Sequence, residues 1–321
     1  MDAVLEELGK IGVVPVIRID DPEKAVPLAK ALLDGGIPCA EITFRTEAGA
    51  EALARISREV PEILCGAGTV LTAGQVDEAA GAGAKFIVSP GFNPRVVQRC
   101  LEKGVPVAPG CSGPSDMEAA LEAGLGVVKF FPAEQAGGLA YIRAVSAPYP
   151  SLKFMPTGGI NAGNIASYLA CEKVLACGGS WMVPPDRIGA GDFDAVTALC
   201  REAVAKVLGF SLAHVGINAA GEGEALEAAR LFETLFGFAR RPGASSVFAG
   251  EGIEMMKSPG PGRNGHIAIG TNSLERGIAY LERKGFSFNP DSVKNDSKGV
   301  PSVIYLNNEI AGFAVHLIQK K

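Results

Sequence analysis

Short apolar runs rich in β-branched residues alternate with segments of helical periodicity along the first two thirds of the chain. Eight runs follow one another from Ile11 to about Cys177: GVVPVIR, PCAEITF, EILCGAG, AKFIVSP, VPVAPG, GVVKFF, LKFMPTGG and KVLACGG. The segments between them, such as DPEKAVPLAKALLDGG, have apolar residues at helical spacing and end in glycine, which stops helices. Eight strand–helix units predict a closed (β/α)8 TIM barrel, with an open, doubly wound sheet as the alternative.

The pattern changes after a last predicted helix over residues 193–208. AHVGI precedes the helical stretch EALEAARLFETLFGF and short strands ending in GIEMM, while GHIAI precedes NSLERGIAYLERKGF and strands ending in AVHLI. This internal duplication, with roughly 50 residues per copy, indicates two paired modules of strand, helix and strands. We therefore predict a barrel domain over residues 1–208 and a smaller α+β domain over residues 211–321.

Length, composition and charge narrow the class of protein. A chain of 321 residues exceeds the usual single-domain range of about 100 to 200, which favours two domains. Apolar residues make up 47% of the chain and charged residues 20%, as in ordinary globular proteins. The net charge of −5 and the lack of a Lys/Arg-rich run argue against nucleic acid or an anionic membrane as a partner.

The cysteines and the N-terminus predict a cytoplasmic location. Seven cysteines, an odd number without CxxC spacing, lie mostly in apolar runs, which is typical of buried thiols in a reducing compartment. The N-terminal MDAVLEELGK carries acidic residues in a helical pattern, unlike a signal peptide. No apolar run approaches the roughly 18 residues that a membrane helix requires.

Lys129 differs from the other lysines of the predicted barrel by its place in a strand. Lys85, Lys153 and Lys173 precede the apolar runs of their strands, whereas Lys129 follows GVV and precedes FFP. The reacting groups of parallel barrels lie at the C-terminal ends of strands. Apolar surroundings disfavour an ammonium ion and leave an amine that can attack a carbonyl. A structural lysine on the outer surface of the barrel is the alternative.

The second strand carries a candidate acid/base. AEITFR alternates, with Glu41, Thr43 and Arg45 on one face and apolar residues on the other. Burying a carboxylate is costly unless it has a partner or a task, and Schiff-base chemistry pairs a lysine with such a group. An ordinary ion pair between Glu41 and Lys129 is the competing account. Arg45 is placed to clamp a substrate carboxylate, or else to pair with Glu47.

Glycine-rich turns end the last two strands of the predicted barrel. Strand seven runs into Thr157, Gly158 and Gly159, and strand eight into GGS, which ends at Ser180. Backbone N–H groups in such turns, and at the helix N-termini that follow, bind phosphate in many barrels. Structural glycines at tight turns are the alternative interpretation.

Together, VPVIR, EITFRTE, GAGTVL, SPGFNP, VVKFFPAE, PTGGI and GGSWMVP resemble the family of 2-keto-3-deoxy-6-phosphogluconate (KDPG) and 4-hydroxy-2-oxoglutarate (KHG) aldolases, over residues 1 to about 208. The resemblance implies that Lys129 is the Schiff-base lysine and Glu41 the general acid/base. It implies binding residues for the pyruvyl carboxylate (Arg45, Thr69), the imine (Phe131) and a phosphate (Thr157, Gly158, Gly159, Ser180), with Arg18 as a further contact. It also implies keto-acid substrates, a homotrimer and no metal requirement. One departure is Gly113, where the family more often has threonine.

Residues 211–321 resemble the glyoxalase-like vicinal oxygen chelate fold of paired βαβββ modules. The three histidines of the chain, His214, His266 and His316, all lie in this segment. Aligning the two copies sets His214 against His266 and Glu254 against His316, the positions at which this superfamily places metal ligands. Three imidazoles and a carboxylate suit a divalent transition metal, although single histidines are usually structural.

The sequence thus supports two hypotheses of different classes. The first is a Schiff-base aldolase that forms pyruvate and either glyceraldehyde 3-phosphate or glyoxylate, with a phosphosugar isomerase or another phosphate-binding barrel as the alternative. The second treats residues 211–321 as a non-catalytic module that binds a ligand or a neighbouring subunit, because a fold alone does not specify catalysis.

Overall fold

A computed structural model describes residues 2–320 of the chain, which divides into two units between Val207 and Leu208. The strands of the first unit are β1 (Val13–Ile17), β2 (Cys39–Thr43), β3 (Leu64–Gly68), β4 (Ile87–Val88), β5 (Val107–Ala108), β6 (Val127–Phe130), β7 (Lys153–Pro156) and β8 (Cys177–Gly179). Each lies within one of the eight predicted apolar runs.

The eight strands close into a barrel. Six of them form a parallel sheet in the order β5-β4-β3-β2-β1-β8, and β6 pairs with β7. Parallel bridges join Gly110 to Lys129 and Thr157 to Gly178, and these connect the pair to both edges of the sheet. The predicted TIM barrel is confirmed and the open sheet is wrong.

Helices follow the strands, as the periodicity predicts. They are α1 (Ala3–Ile11), α2 (Ala25–Asp34), α3 (Gly49–Glu59), α4 (Ala73–Gly81), α5 (Pro94–Lys103), α6 (Pro114–Glu122), α7 (Gly138–Val145), α8 (Ile165–Leu169), α9 (Pro185–Ala190) and α10 (Phe193–Leu208). Side chains of Asp2, Thr72 and Asn93 accept hydrogen bonds from the first turns of α1, α4 and α5, which stabilises those helix starts. Phe86, Phe130 and Phe154 are fully buried in the barrel.

The second unit contains two βαβββ modules. The first consists of β9 (Ser211–Asn218), α11 (Glu222–Phe236), β10 (Arg240–Pro242), β11 (Ser246–Ala249) and β12 (Ile253–Met256). The second consists of β13 (Gly265–Thr271), α12 (Leu274–Arg283), β14 (Phe288–Asn295), β15 (Pro301–Ile310) and β16 (Phe313–Gln319). One sheet runs β10-β11-β12-β9-β13-β16-β15-β14, with β9 and β13 antiparallel at its centre. The duplicated architecture is confirmed.

The structure also shows the state of the cysteines and the character of the helices. All seven cysteines are buried, and burial raises the pKa of Cys65 and Cys100 to about 12, so those thiols stay protonated near neutral pH. Between residues 2 and 320, no helix has the length and apolar character needed to cross a bilayer.

Candidate active site and candidate metal site

A lysine and a glutamate meet inside the barrel. Lys129 on β6 places its Nζ 3.3 Å from Oε1 of Glu41 on β2, and the two side chains are 6% and 0% exposed. Glu41 Oε2 is buried and has no hydrogen-bond partner among residues 2–320. Removing two charges from water costs several kcal/mol per ion before their attraction is counted. Such a pair is weak support for stability and is better explained by a chemical task.

Glycines on β3 make room for this carboxylate. Glu41 lies beside Gly66 in the strand register, and a Cβ at Gly68 would come within 2.2 Å of Glu41 Oε1. A Cβ at Gly66 would come within 2.5 Å of the Phe86 ring. The GAG sequence of β3 therefore leaves room for a charged side chain beside a packed aromatic layer.

Lys129 and Glu41 line a cavity of about 270 Å³ at the C-terminal ends of the strands. The other lining residues are Val16, Arg45, Thr69, Pro90, Phe131, Thr157, Gly158, Gly159, Ile160, Gly179 and Ser180. The structure thus brings together all the predicted barrel-site residues except Arg18. Val16, Pro90 and Ile160 were missed by the sequence analysis, and only their place at strand ends signalled them.

Arg18 does not reach this cavity. Its Nη2 lies 3.0 Å from Asp20 Oδ1, and its side chain is 52% exposed. The residue follows the end of β1, so its long side chain is free to turn to a neighbouring carboxylate in solvent. The position of Arg18 does not support the predicted substrate contact.

Three further residues lie around the Lys129 amine: Arg45, Thr69 and Phe131. Arg45 Nε donates to Thr43 Oγ1 at 3.2 Å, which orients a guanidinium able to clamp a carboxylate with two N–H groups. Thr69 has a φ of +59°, a left-handed conformation that costs a non-glycine residue of order 1 kcal/mol or more. The Phe131 ring centroid is 5.6 Å from Lys129 Nζ.

The predicted phosphate loop has the conformation of a glycine turn. Gly158 and Gly159 have φ values of +96° and +80°, which L side chains rarely adopt. Anion binding was predicted partly at a helix N-terminus. The helix that follows, α8, has five residues and begins at Ile165, so the N–H groups beside the cavity belong to the loop.

Gly113, where the family more often has threonine, lies outside the cavity. Gly113 precedes α6 as its N-cap residue and is not among the cavity-lining residues that the structure describes. Its neighbour Ser112 is held by Asp116 Oδ2, which accepts from Ser112 N–H at 3.2 Å, and by Tyr141, whose hydroxyl donates to Ser112 O at 2.7 Å.

In the second unit, His214, His266 and Glu254 converge at the centre of the sheet. The two Nε2 atoms are 3.1 Å apart, and Glu254 Oε2 lies 3.3 Å from the first and 3.1 Å from the second. Donors around one metal at bond lengths near 2.1 Å would be about 3.0 to 3.4 Å apart, so the spacing fits a shared ion. Ser246 Oγ donates to Glu254 Oε1 and orients the carboxylate, a role that the sequence analysis missed.

Small residues let these side chains meet. Gly216 on β9 lies between Glu254 and His266 in the strand register, and a Cβ there would come within 2.0 Å of the His266 ring. The duplicated position, Ala268, lies between His214 and His316. The register therefore reproduces the predicted matching of the two copies.

His316 stands beside the three donors without joining them. The metal-compatible group contains His214, Glu254 and His266, whereas the His316 ring packs on Tyr305 with centroids 4.5 Å apart. Burial, followed by the charges of His266 and His214, lowers the pKa of His316 to about 3. The structure thus groups three of the four predicted ligands, with a neutral imidazole next to them.

The charge of Glu254 and the state of the histidines beside it also suit a bound cation. Burial raises the pKa of Glu254, but hydrogen bonds from His214, His266 and Ser246 outweigh it and hold that pKa well below its usual range. Nδ1 of His266 and Nδ1 of His316 are buried without a hydrogen-bond partner among residues 2–320. An ionised carboxylate beside imidazoles is the donor set of many transition-metal sites.

All four residues line a second cavity of about 580 Å³, which also includes Phe248, Lys294, Tyr305 and Asn307. These additional lining residues come from β11, β14 and β15. The convergence of strands from both modules on this space depends on the order of the whole sheet, which explains why the sequence analysis did not predict them.

Comparison with known proteins gives matches of high identity. The family described as KDPG and KHG aldolase matches residues 4–199. The 2-dehydro-3-deoxy-phosphogluconate aldolase of Treponema pallidum is 54% identical over 202 residues, which cover 63% of this chain and 96% of that protein. The KHG/KDPG aldolase of Escherichia coli is 46% identical over 192 residues, 60% and 90% of the two chains. The solved KDPG aldolase of Legionella pneumophila, with pyruvate captured as a covalent carbinolamine, is 38% identical, has a TM-score of 0.60 and covers 62% of this chain and 97% of its own.

Proposed function

Because the chain belongs to the KDPG and KHG aldolase family, we propose that its barrel uses Lys129 to cleave KDPG to pyruvate and glyceraldehyde 3-phosphate and KHG to pyruvate and glyoxylate. The family assignment makes the chain a Schiff-base lyase. The observation that carries the assignment to Lys129 is its burial beside Glu41, 3.3 Å away, in a cavity at the strand ends.

The geometry supports a sequence of proton transfers between these two side chains. Lys129 gives a proton to Glu41, and the resulting amine attacks the C2 carbonyl of the substrate. The carbinolamine then takes that proton back from Glu41 and loses water to give an iminium ion. Glu41 takes the proton of the C4 hydroxyl, the C3–C4 bond breaks, and its electron pair forms an enamine while the aldehyde leaves. The enamine is protonated at C3 by Glu41, and water then releases pyruvate and the free amine. The iminium is the electron sink, so this chemistry needs no metal.

Arg45 and Thr69 are proposed to hold the pyruvyl carboxylate, and Phe131 to pack beside the imine. Their place around Lys129 in the same cavity supports these roles. The phosphate is proposed to bind to Thr157, Gly158, Gly159 and Ser180, because these residues follow β7 and β8 and bring backbone and hydroxyl donors to the same cavity.

Ser180→Asp is expected to weaken use of KDPG far more than use of KHG. A carboxylate next to a phosphate costs several kcal/mol, so KM for KDPG should rise at least about 10-fold. Steady-state kinetics on both substrates measures this, with Ser180→Ala as the matched variant that lacks the new charge. Equal losses on the two substrates for Ser180→Asp would contradict the phosphate role.

For the second unit, we propose a divalent metal site formed by His214, Glu254 and His266, with His316 beside it. The donor spacing and the ionised carboxylate support this assignment. A metal held by three protein ligands would supply a Lewis acid with an open position. Whether this domain belongs to the glyoxalase-like superfamily stays a prediction, supported by its paired βαβββ order.

Purified protein is expected to bind about one zinc, nickel or manganese ion per chain, because three donors preset at metal-ligand spacing need little reorganisation. Elemental analysis after incubation and desalting measures the stoichiometry. The His214→Ala/His266→Ala variant should bind none, while its aldolase activity and that of chelator-treated wild type should stay unchanged. A wild type without stoichiometric metal would leave the alternative, a non-catalytic module that binds a ligand or a subunit.

Two further properties stay predictions. The homotrimer rests on the family resemblance alone, and the cytoplasmic location rests on the buried thiols.

A further inference from the structure

The loop after β7 is held from outside the cavity by hydrogen bonds to two successive carbonyls. Gly158 O accepts from the backbone N–H of Glu134 at 3.1 Å. Gly159 O accepts from two side-chain amides, Asn161 Nδ2 at 3.1 Å and Asn164 Nδ2 at 3.0 Å. Both carbonyls of the glycine pair are therefore fixed in direction.

Fixed carbonyls also fix the N–H groups that follow them. The peptide bonds of this loop are trans, since the cis bond within residues 2–320 is Phe131–Pro132. In a trans peptide the C=O and the next N–H point in opposite directions. The N–H groups of Gly159 and Ile160 therefore point away from Glu134 and the two asparagines, and both residues line the cavity. Successive N–H groups arranged in this way form an anion-binding concavity.

The two asparagines also hold each other. Asn161 N–H donates to Asn164 Oδ1 at 2.8 Å, and Asn161 Oδ1 accepts from Gly163 N–H at 2.8 Å. In each asparagine both the Oδ1 and the Nδ2 atom form a hydrogen bond. Neither side chain can therefore rotate without breaking hydrogen bonds. This leaves the Gly159 carbonyl with two oriented donors.

The loop is also packed against the side chain of Glu134. A Cβ at Gly159 would lie 2.5 Å from Glu134 Cγ, and the Glu134 carboxylate accepts a hydrogen bond from the buried hydroxyl of Tyr168. The glycine turn therefore rests on a side chain that is itself tied to α8. The Gly158–Gly159 peptide is therefore held by Glu134, whereas the orientation of the Gly159–Ile160 peptide is left to the two asparagines.

We propose that Asn161 and Asn164 are positioning residues that set the Gly159–Ile160 peptide for the substrate phosphate and so determine selectivity for phosphorylated over unphosphorylated aldols. The inference rests on the proposed phosphate site. Neither asparagine lines the cavity, so both act through the peptide and not by contact with the substrate. Without them the peptide can flip and turn a carbonyl oxygen toward the anion.

The test is the Asn161→Ala/Asn164→Ala double variant, with KDPG and KHG as substrates and inorganic phosphate as an inhibitor of KHG cleavage. We expect KM for KDPG to rise on the order of 10-fold, as for the loss of a charge-assisted hydrogen bond, with kcat changed less than about twofold. KHG kinetics should stay within about twofold of wild type, and inhibition by phosphate should weaken in parallel with KM for KDPG. Ser167→Ala, an exposed change on α8, is the control.

The outcomes separate the two proposals. Wild-type protein that shows no preference for KDPG and no inhibition by phosphate would overturn the phosphate site itself. A wild type with both properties and a double variant that keeps them would overturn only the positioning role. Equal losses on KDPG and KHG would also overturn it, because they indicate general damage to the barrel, which the melting temperature would report.

Discussion

We expect Lys129→Ala to abolish aldol cleavage and to prevent labelling of the protein by pyruvate with borohydride. Loss of a covalent nucleophile costs on the order of 10⁴- to 10⁶-fold in kcat, because no other amine lines the described part of the barrel cavity. In wild type, reduction traps the three-carbon unit as a stable secondary amine, and peptide mass spectrometry should place it on Lys129. A label on another residue, or turnover that survives the substitution, would contradict the assignment of Lys129 as the Schiff-base lysine.

The matched variant for this experiment is Lys129→Arg. Alanine leaves Glu41 buried without its partner, and breaking a buried pair costs about 3 to 5 kcal/mol of stability. Inactivity of Lys129→Ala alone therefore has two explanations, the missing nucleophile and misfolding. Arginine keeps a positive charge beside Glu41, but its guanidinium does not form an imine. A folded Lys129→Arg protein, judged by its melting temperature, should be equally inactive and unlabelled.

The fold was predictable because its signals are local. Each βα unit of the barrel shows its own change of periodicity, and Lys129 and Glu41 were found from their positions within single strands. The duplicated modules were found in the same way, since matching strands place His214 and His266 at equivalent register positions.

What the sequence did not predict depends on single side-chain rotations. Arg18 turns to Asp20 in solvent, and His316 packs on Tyr305 instead of joining the metal-compatible group. Neither side-chain conformation is indicated by a pattern in the sequence. The amide contacts to Gly159 O depend on the dihedral angles of one loop. By contrast, Gly216 and Ala268 could have been found, because a small residue is needed where two large side chains approach the same strand.

Glu41→Gln should separate formation of the imine from the steps that follow it. Glutamine keeps the size of the side chain and a hydrogen-bond acceptor for Lys129, but it cannot take up a proton. Loss of a general acid/base lowers kcat on the order of 10²- to 10⁴-fold. Trapping of pyruvate at Lys129 by borohydride should persist in this variant.

The sharper measurement is exchange of the pyruvate methyl hydrogens with D2O, followed by NMR. Exchange needs both the imine on Lys129 and a base that removes a proton from C3 to give the enamine. Wild type should exchange these hydrogens, Lys129→Arg should not, and Glu41→Gln should form the trapped adduct yet exchange at a rate reduced as strongly as kcat. If Glu41→Gln exchanged at the wild-type rate, the proton would pass through another group, and Glu41 would be only the ion-pair partner of the lysine.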